Sequence, residues 1–375
     1  MKQFYLLIIA IAFSGRINSQ SSNDILNLLI VTGGISQEQA DSVRAGAAIK
    51  QQEADAAKKS FPASAARLIQ FAGYTQVRYQ VFDENTKKDG FDIRRARFDM
   101  KGNFTPYFAY RLQADFAGSP KLLDAYAEIK LNDYFNITVG QFRIPFSLEN
   151  LTSMNKFELI DFSQNVDAFT ARGKDVIGNH NGRDIGIQVG GALIKSGSNT
   201  LAEYRLGVFN GSGINIADTA NEAKDIVGRL IIYPIKGLTF GASYYNGWAK
   251  AIKPASEFVG RSQVRNRFGI EASYTTTRLS LKSEYIKGKD GNTDKSGWYL
   301  LAGYYIIPQK LQVVCKYDIY DPNIDTDKNI TTNYVAGVNY HFNSWSRLQA
   351  FYTLREEQGT SVNNNYLSFQ YQIGF

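Results

Sequence analysis

The chain has 375 residues, a formal net charge of +7, two histidines and a single cysteine, Cys315. One cysteine leaves no intrachain disulfide and, with only two histidines, too few ligands for a zinc site. The positive charges are spread along the whole length rather than gathered on one helix or stripe, which argues against a nucleic-acid binder. Beyond the first residues no run of eighteen apolar side chains occurs, which excludes a helical membrane span.

The N-terminus reads as a secretory signal over residues 1–19. Lys2 supplies the basic start, Phe4 to Phe13 carries no charge, and Ser14 to Ser19 is small and polar, the three-part pattern of an exported precursor. Residues 20–63 are expected to form a short periplasmic helical segment. Asp24 to Val31 predicts a first helix, Gly33 and Gly34 break it, and Ser36-Gln-Glu-Gln39 is a capping box that opens a second helix reaching Lys59. Its stripe of Ala40, Val43, Ala47, Ala54 and Ala57 is too thin for a core. Weak association across subunits and a solvated tether are both compatible with it.

Residues 64–375 read as one all-β domain. Sixteen segments of about ten residues alternate in polarity, near 67–81, 90–102, 106–117, 122–131, 134–142, 183–194, 200–209, 222–234, 237–249, 262–276, 278–288, 296–308, 310–320, 329–342, 345–356 and 364–375. The connections alternate between tight turns, such as Asn132-Asp133 and Asn343-Ser344, and longer polar loops, such as Asp83 to Gly90, Lys289 to Lys295 and Asp321 to Lys328. An even strand count with short turns on one side and generally longer loops on the other predicts a 16-stranded antiparallel transmembrane β-barrel of an outer membrane, bathed in outer-membrane lipid. With no water in the hydrocarbon region, closure of the backbone ladder is what permits such a chain to span it.

One stretch breaks the rhythm. Residues 143–182 form a connection far longer than the roughly 12–15 residues usual for a loop without structure of its own. It places Phe142, Ile144, Phe146, Leu148, Leu151, Phe157, Leu159, Phe162 and Phe169 at irregular spacing among polar residues. That composition suits a loop folded back into a wet lumen, which it narrows.

The polar faces of the strands assign fourteen Lys or Arg and ten Asp or Glu to the lumen. Arg95 and Arg97 share one face, Arg111 follows on the next strand and Lys130 on the one after; Arg78, Arg265 and Arg267 complete the candidate anion-binding, pore-lining set. Arginine and lysine rings favour anions in pores, and the planar guanidinium fork suits oxyanions. Pairing with acids on neighbouring strands is the competing account of the same residues.

Five blocks carry a resemblance: Phe91-Asp-Ile-Arg-Arg-Ala-Arg97, Tyr110-Arg-Leu-Gln-Ala-Asp-Phe116, Leu122-Leu-Asp-Ala-Tyr126, Gly140 to Ser153, and Gly182-Arg-Asp-Ile-Gly186. Together they resemble the phosphate-selective porin O/P family. The resemblance implies a homotrimeric sixteen-strand porin of the Gram-negative outer membrane, with a lumenal arginine array and an inward third loop whose constriction is formed by Phe142, Arg143, Pro145, Phe146, Glu149 and Thr152, passing small anions, phosphate or polyphosphate among them. It implies no cofactor. Where the family pattern would place acid, arginine and serine in the loop, this chain has Asp161-Phe162-Ser163. Three other readings stay open: a general diffusion porin without anion selectivity, a barrel enzyme, and a plugged structural barrel. For an enzyme the histidines are His180, in the long loop, and His341, at a strand end, neither within a recognisable catalytic motif.

Overall fold

The computed structural model describes residues 19–47, 69–84, 86–217, 223–250, 252 and 262–375. Residues 1–18 of the expected signal and residues 48–59 of the expected second helix lie outside them. The chain divides into two units, residues 1–67 and 68–375.

In the first unit, helix α1 (Ser19–Val31) starts earlier than Asp24. It stops where Gly33 takes a φ of +70°, a left-handed conformation that a residue without Cβ adopts freely. The Gly34 N–H then donates to the Leu29 carbonyl at 2.8 Å and the Gly33 N–H to Ile30 at 3.0 Å, which satisfies two terminal carbonyls. The capping box forms reciprocally: the Gln39 N–H donates to Ser36 Oγ at 3.2 Å and the Ser36 N–H to Gln39 Oε1 at 3.0 Å. Residues 37–47 continue as helix.

The second unit is a single closed sheet of β1 (Gln70–Phe82), β2 (Gly90–Thr105), β3 (Phe108–Asp115), β4 (Lys121–Asn132), β5 (Phe135–Arg143), β6 (Arg183–Ser196), β7 (Asn199–Phe209), β8 (Asp225–Ile235), β9 (Leu238–Asn246), β10 (Trp248–Lys250), β11 (Ser262–Thr275), β12 (Leu279–Asp290), β13 (Thr293–Ile307), β14 (Leu311–Asp321), β15 (Thr331–His341), β16 (Ser346–Glu357) and β17 (Tyr366–Gly374). Each strand pairs antiparallel with its neighbours, and β1 bonds to both β2 and β17, so the sheet has no free edge. The expected strand 237–249 is broken at Gly247; β10 continues β9 along the same partner, β11, and the barrel has sixteen staves.

Alternation sorts the two faces. On β3, Phe108 and Leu112 are exposed outward while Gln113 and Asp115 are buried inside. Two departures from simple alternation matter. The expected loop Lys289 to Lys295 is instead a hairpin: Asp290 pairs with Thr293 across Gly291 and Asn292, with Gly291 at φ +62°. A β-bulge between β1 and β2 pairs Gln76 with Arg95 and Val77 with Ile93, leaving Arg94 as the extra residue. The bulge lets consecutive arginines, 94 and 95, both turn inward.

Candidate functional site

The barrel interior is occupied by residues 144–182, and the reason begins with their apolar anchors. Phe142, Ile144, Phe146, Phe157, Leu159 and Phe169 are buried in one cluster with wall residues Phe209, Tyr245, Tyr299 and Tyr320. The rings meet in pairs: Phe142 with Phe209 at 5.4 Å, Phe146 with Tyr245 at 6.4 Å, Phe169 with Tyr320 at 6.0 Å. Burial of each such side chain stabilises the docked loop by about 1.5–3 kcal/mol. Between the anchors the loop makes two short helices, α2 (Leu148–Leu151) and α3 (Gln164–Phe169), with a 3-10 turn at Met154–Lys156.

The polar groups of the loop are satisfied by the wall. Glu158 takes Lys282 at 2.5 Å, Ser280 at 3.1 Å and Gln312 at 2.8 Å. Asp161 meets Arg94, and Arg78 at 3.6 Å. Asp175 receives two hydrogen bonds from Arg265, at 2.6 and 3.1 Å. Wall amides also reach loop carbonyls: Asn339 on Glu158 at 2.9 Å, Gln372 on Asn155 at 3.2 Å, and Gln76 on Met154 at 3.4 Å, where Arg347 donates as well at 3.3 Å. Gln370, Gln349, Asn339 and Gln312 form a chain of amides, each donating to the next and the last donating to Glu158. Irregular backbone is tolerated at membrane depth when it is buried in protein like this.

Every one of those partners lies on β1, β2 or β11 to β17. The space left open lies on the other side: a cavity of about 720 Å³ lined by Arg111, Asp124, Tyr126, Glu128, Thr138, Gln188 and Arg205 of β3 to β7, and by Phe142, Arg143 and Leu151 where the loop begins. The loop therefore narrows the lumen against one wall rather than ringing it.

The candidate cations have different fates. Arg78 bonds Asp92 at 2.7 and 2.9 Å, Arg97 bonds Asp115 at 2.9 Å, and Arg111 bonds Asp99 at 2.6 and 2.9 Å. Lys130 is exposed near the short turn after β4. Arg265 and Arg267 point inward but are fully buried beneath the loop, on Asp175 and Asp290, away from the open cavity. Of the expected pore-lining set, only Arg111 borders that cavity. Of the expected constriction residues, Phe142 and Arg143 line it, Pro145, Phe146 and Glu149 are buried behind it, and Thr152 caps α2.

A second arginine group makes its hydrogen bonds to uncharged acceptors. Arg95 donates to Gln76 Oε1 at 2.7 Å, Arg143 to the Asn150 and Thr152 carbonyls at 3.1 and 2.7 Å, and Arg172 to Asn150 Oδ1 at 2.7 Å. All these acceptors are neutral. The Arg172 guanidinium lies 3.7 Å from the Phe162 ring centre, a cation–π contact. Burial, and then the charges of Arg143, Arg183 and Arg95, pull Arg172 well below its ordinary pKa. Sequence reading did not flag Arg94, Arg172 or Arg183. For Arg94 a signal existed: the apolar Phe91 and Ile93 share the parity of Arg95 and Arg97, so a strand with one consistent face must slip between them.

The sequence of residues 67–246 and 249–373 matches the family of phosphate-selective porins O and P. The chain belongs to this family. No curated protein sequence matches it individually. Solved structures share the porin fold at low identity: a loop-deletion form of OmpT, an outer-membrane protein of Vibrio cholerae (15% identity, 82% of this chain and 99% of that one, TM-score 0.59), the outer-membrane channel DcaP of Acinetobacter baumannii (12%, 82% and 97%, 0.57) and OmpF of Salmonella typhi in complex with daunomycin (12%, 82% and 97%, 0.63). As a phosphate-selective porin O/P family member, the chain is a diffusion channel of the Gram-negative outer membrane. Of the two histidines, His180 Nε2 meets the Ile177 carbonyl at 2.9 Å and the His341 ring lies beside Tyr305.

Proposed function

We propose that this porin passes small anionic solutes in preference to cations, phosphate-like oxyanions among them, and works as a homotrimer without catalytic activity. The observation that carries the reading is the group Arg95, Arg143 and Arg172, whose hydrogen bonds all go to neutral acceptors. Elsewhere on the cavity wall three cations, Arg111, Lys195 and Arg205, stand among four acids, Asp124, Glu128, Asp133 and Glu203. At the neck, where Arg143 meets the open space, the guanidinium is hydrogen-bonded to uncharged carbonyls rather than to a carboxylate. There an anion gains from a field that water screens less than on an open surface. The trimer rests on family membership and on the trimeric form in which the Vibrio cholerae OmpT structure is described.

The test is a reversal potential across a planar bilayer in a salt gradient. Wild type is expected to be anion-preferring, and Arg143→Gln, which keeps length and hydrogen-bonding capacity, is expected to lower the anion-to-cation permeability ratio while the barrel still assembles. An unchanged ratio would leave a general diffusion porin as the better reading.

A further inference from the structure

The outward face of the barrel carries a group of positive charges on β10 and β12. On β12 the buried Ile286, Gly288 and Asp290 alternate with exposed Lys287 and Lys289, so both lysines stand on the lipid-facing side, about 7 Å apart along the strand. Lys287 lies across from Phe268 of β11 and Ser296 of β13, and Lys289 across from Asn266 and Asp294. Beyond β11, the outward residues of β10 are Trp248 and Lys250. None of the three lysines forms an ion pair among the described residues. Three lysines outnumber the two acids on the same face, Asp294 and Asp321; the latter, across from Ser296, accepts from the Asn323 N–H at 3.0 Å.

Aromatic side chains fix the height of this group. Trp298 and Tyr317 meet at 5.2 Å between ring centres, and Tyr317 and Tyr334 at 5.3 Å. They form a continuous outward belt on β13 to β15, with Phe268 and Trp248 as its exposed counterparts on β11 and β10. Such belts mark the level where hydrocarbon gives way to head groups. Tyr285, across from Trp298, carries β12 to the belt. Lys287 and Lys289 are the next two outward residues toward the strand end. That end of the barrel is the one from which residues 144–182 depart, and the long-loop end of a bacterial barrel is extracellular. The two ammonium groups therefore stand at the head-group level of the outer leaflet.

We propose that Lys287 and Lys289 form a binding site on the outer wall for a phosphorylated lipid of the outer leaflet. A phosphate monoester brings more than one negative charge and three acceptor oxygens, and basic side chains at a membrane surface draw such head groups. Asn266 Oδ1 is taken by the Gly247 N–H at 3.1 Å, which leaves its amide NH2 to donate beside Lys289. Below the lysines the exposed side chains are apolar: Ile270, Leu281 and Leu300 give the acyl chains a wall to lie along. The site depends on the lipid-facing wall and not on what the passage carries.

Native mass spectrometry of the intact protein in detergent tests it, with lipid A, a doubly phosphorylated disaccharide lipid, as the probe and the same lipid stripped of its phosphates as the control. Wild type is expected to retain the phosphorylated lipid in preference to the stripped one. Lys287→Gln and Lys289→Gln are each expected to weaken that retention about fivefold, and Lys287→Arg to restore it, with the mobility change on boiling kept throughout. The comparison of the two lipids needs wild type alone, so it decides even if a variant does not assemble. Equal retention of both lipids, or retention unaltered in both Gln variants, overturns the site. Displacement of the lipid by millimolar inorganic phosphate would make it a free-phosphate site instead, and a variant that alters the number of chains per particle but not lipid retention would make it a contact between subunits; either result also overturns it.

Discussion

At Asp175 a single carboxylate holds two fully buried guanidiniums. Arg265 takes it bidentately and Arg267 lies 4.0 Å away. Burial alone would raise the Asp175 pKa, yet the two arginines hold it well below the usual carboxylate range. Removing one member of a buried ion pair costs about 3–5 kcal/mol, because the remaining charge is stranded. Asp175→Ala is therefore expected to loosen residues 171–178 by roughly that amount, read as faster amide exchange at Ala171, whose N–H donates to Asp175 Oδ2. Unaltered exchange there would mean that the apolar contacts of Ala171, Val176 and Ile177 hold the segment alone. Glu149 titrates in the opposite sense. Its folded pKa, near 6, is raised, so its stabilising contribution to loop seating is complete below the ordinary glutamate range and is lost as pH rises through about 6.

Among the elements, the strands were legible and the loop's attachments were not. Period-two alternation placed every stave, because a side chain on a strand has only two directions. It also gave the inward parity of Arg95, Arg97 and Arg111. Their partners were hidden: which acid each arginine meets depends on cross-strand register, and a one-residue bulge at Arg94 resets that register without altering composition. Loop acids such as Glu158, Asp161 and Asp175 lie in a segment with no period, so nothing in the sequence pointed them at particular walls. The element that follows from their contacts has a clear test. Deleting Ser153 to Arg172 removes most of the docked segment but no ladder hydrogen bond, so the barrel is expected to assemble and its single-channel conductance to rise. Assembly with unchanged conductance would show that another part of the chain sets the resistance.

For the whole molecule, stability lies in a closed ladder rather than in a conventional core. The first and last strands of the barrel complete it, with Gly73 and Phe375 exchanging N–H to carbonyl bonds at 3.2 and 3.0 Å. Since no edge is available to fray, the purified protein is expected to keep a β-rich circular dichroism spectrum in detergent and to change its electrophoretic mobility only on boiling. A helical spectrum would contradict the fold. The off-centre passage has a different consequence, for variation. Inward positions on β11 to β17 are committed to gripping the loop, so exchanges there threaten assembly. The inward positions on β3 to β7 that border the open cavity, such as Glu128, Thr138, Gln188 and Arg205, face water and solute, so exchanges there can retune what passes at little risk to folding. Two halves of one circular wall thus have unequal freedom to diverge, and a library meant to change solute preference belongs on the side that the loop leaves bare.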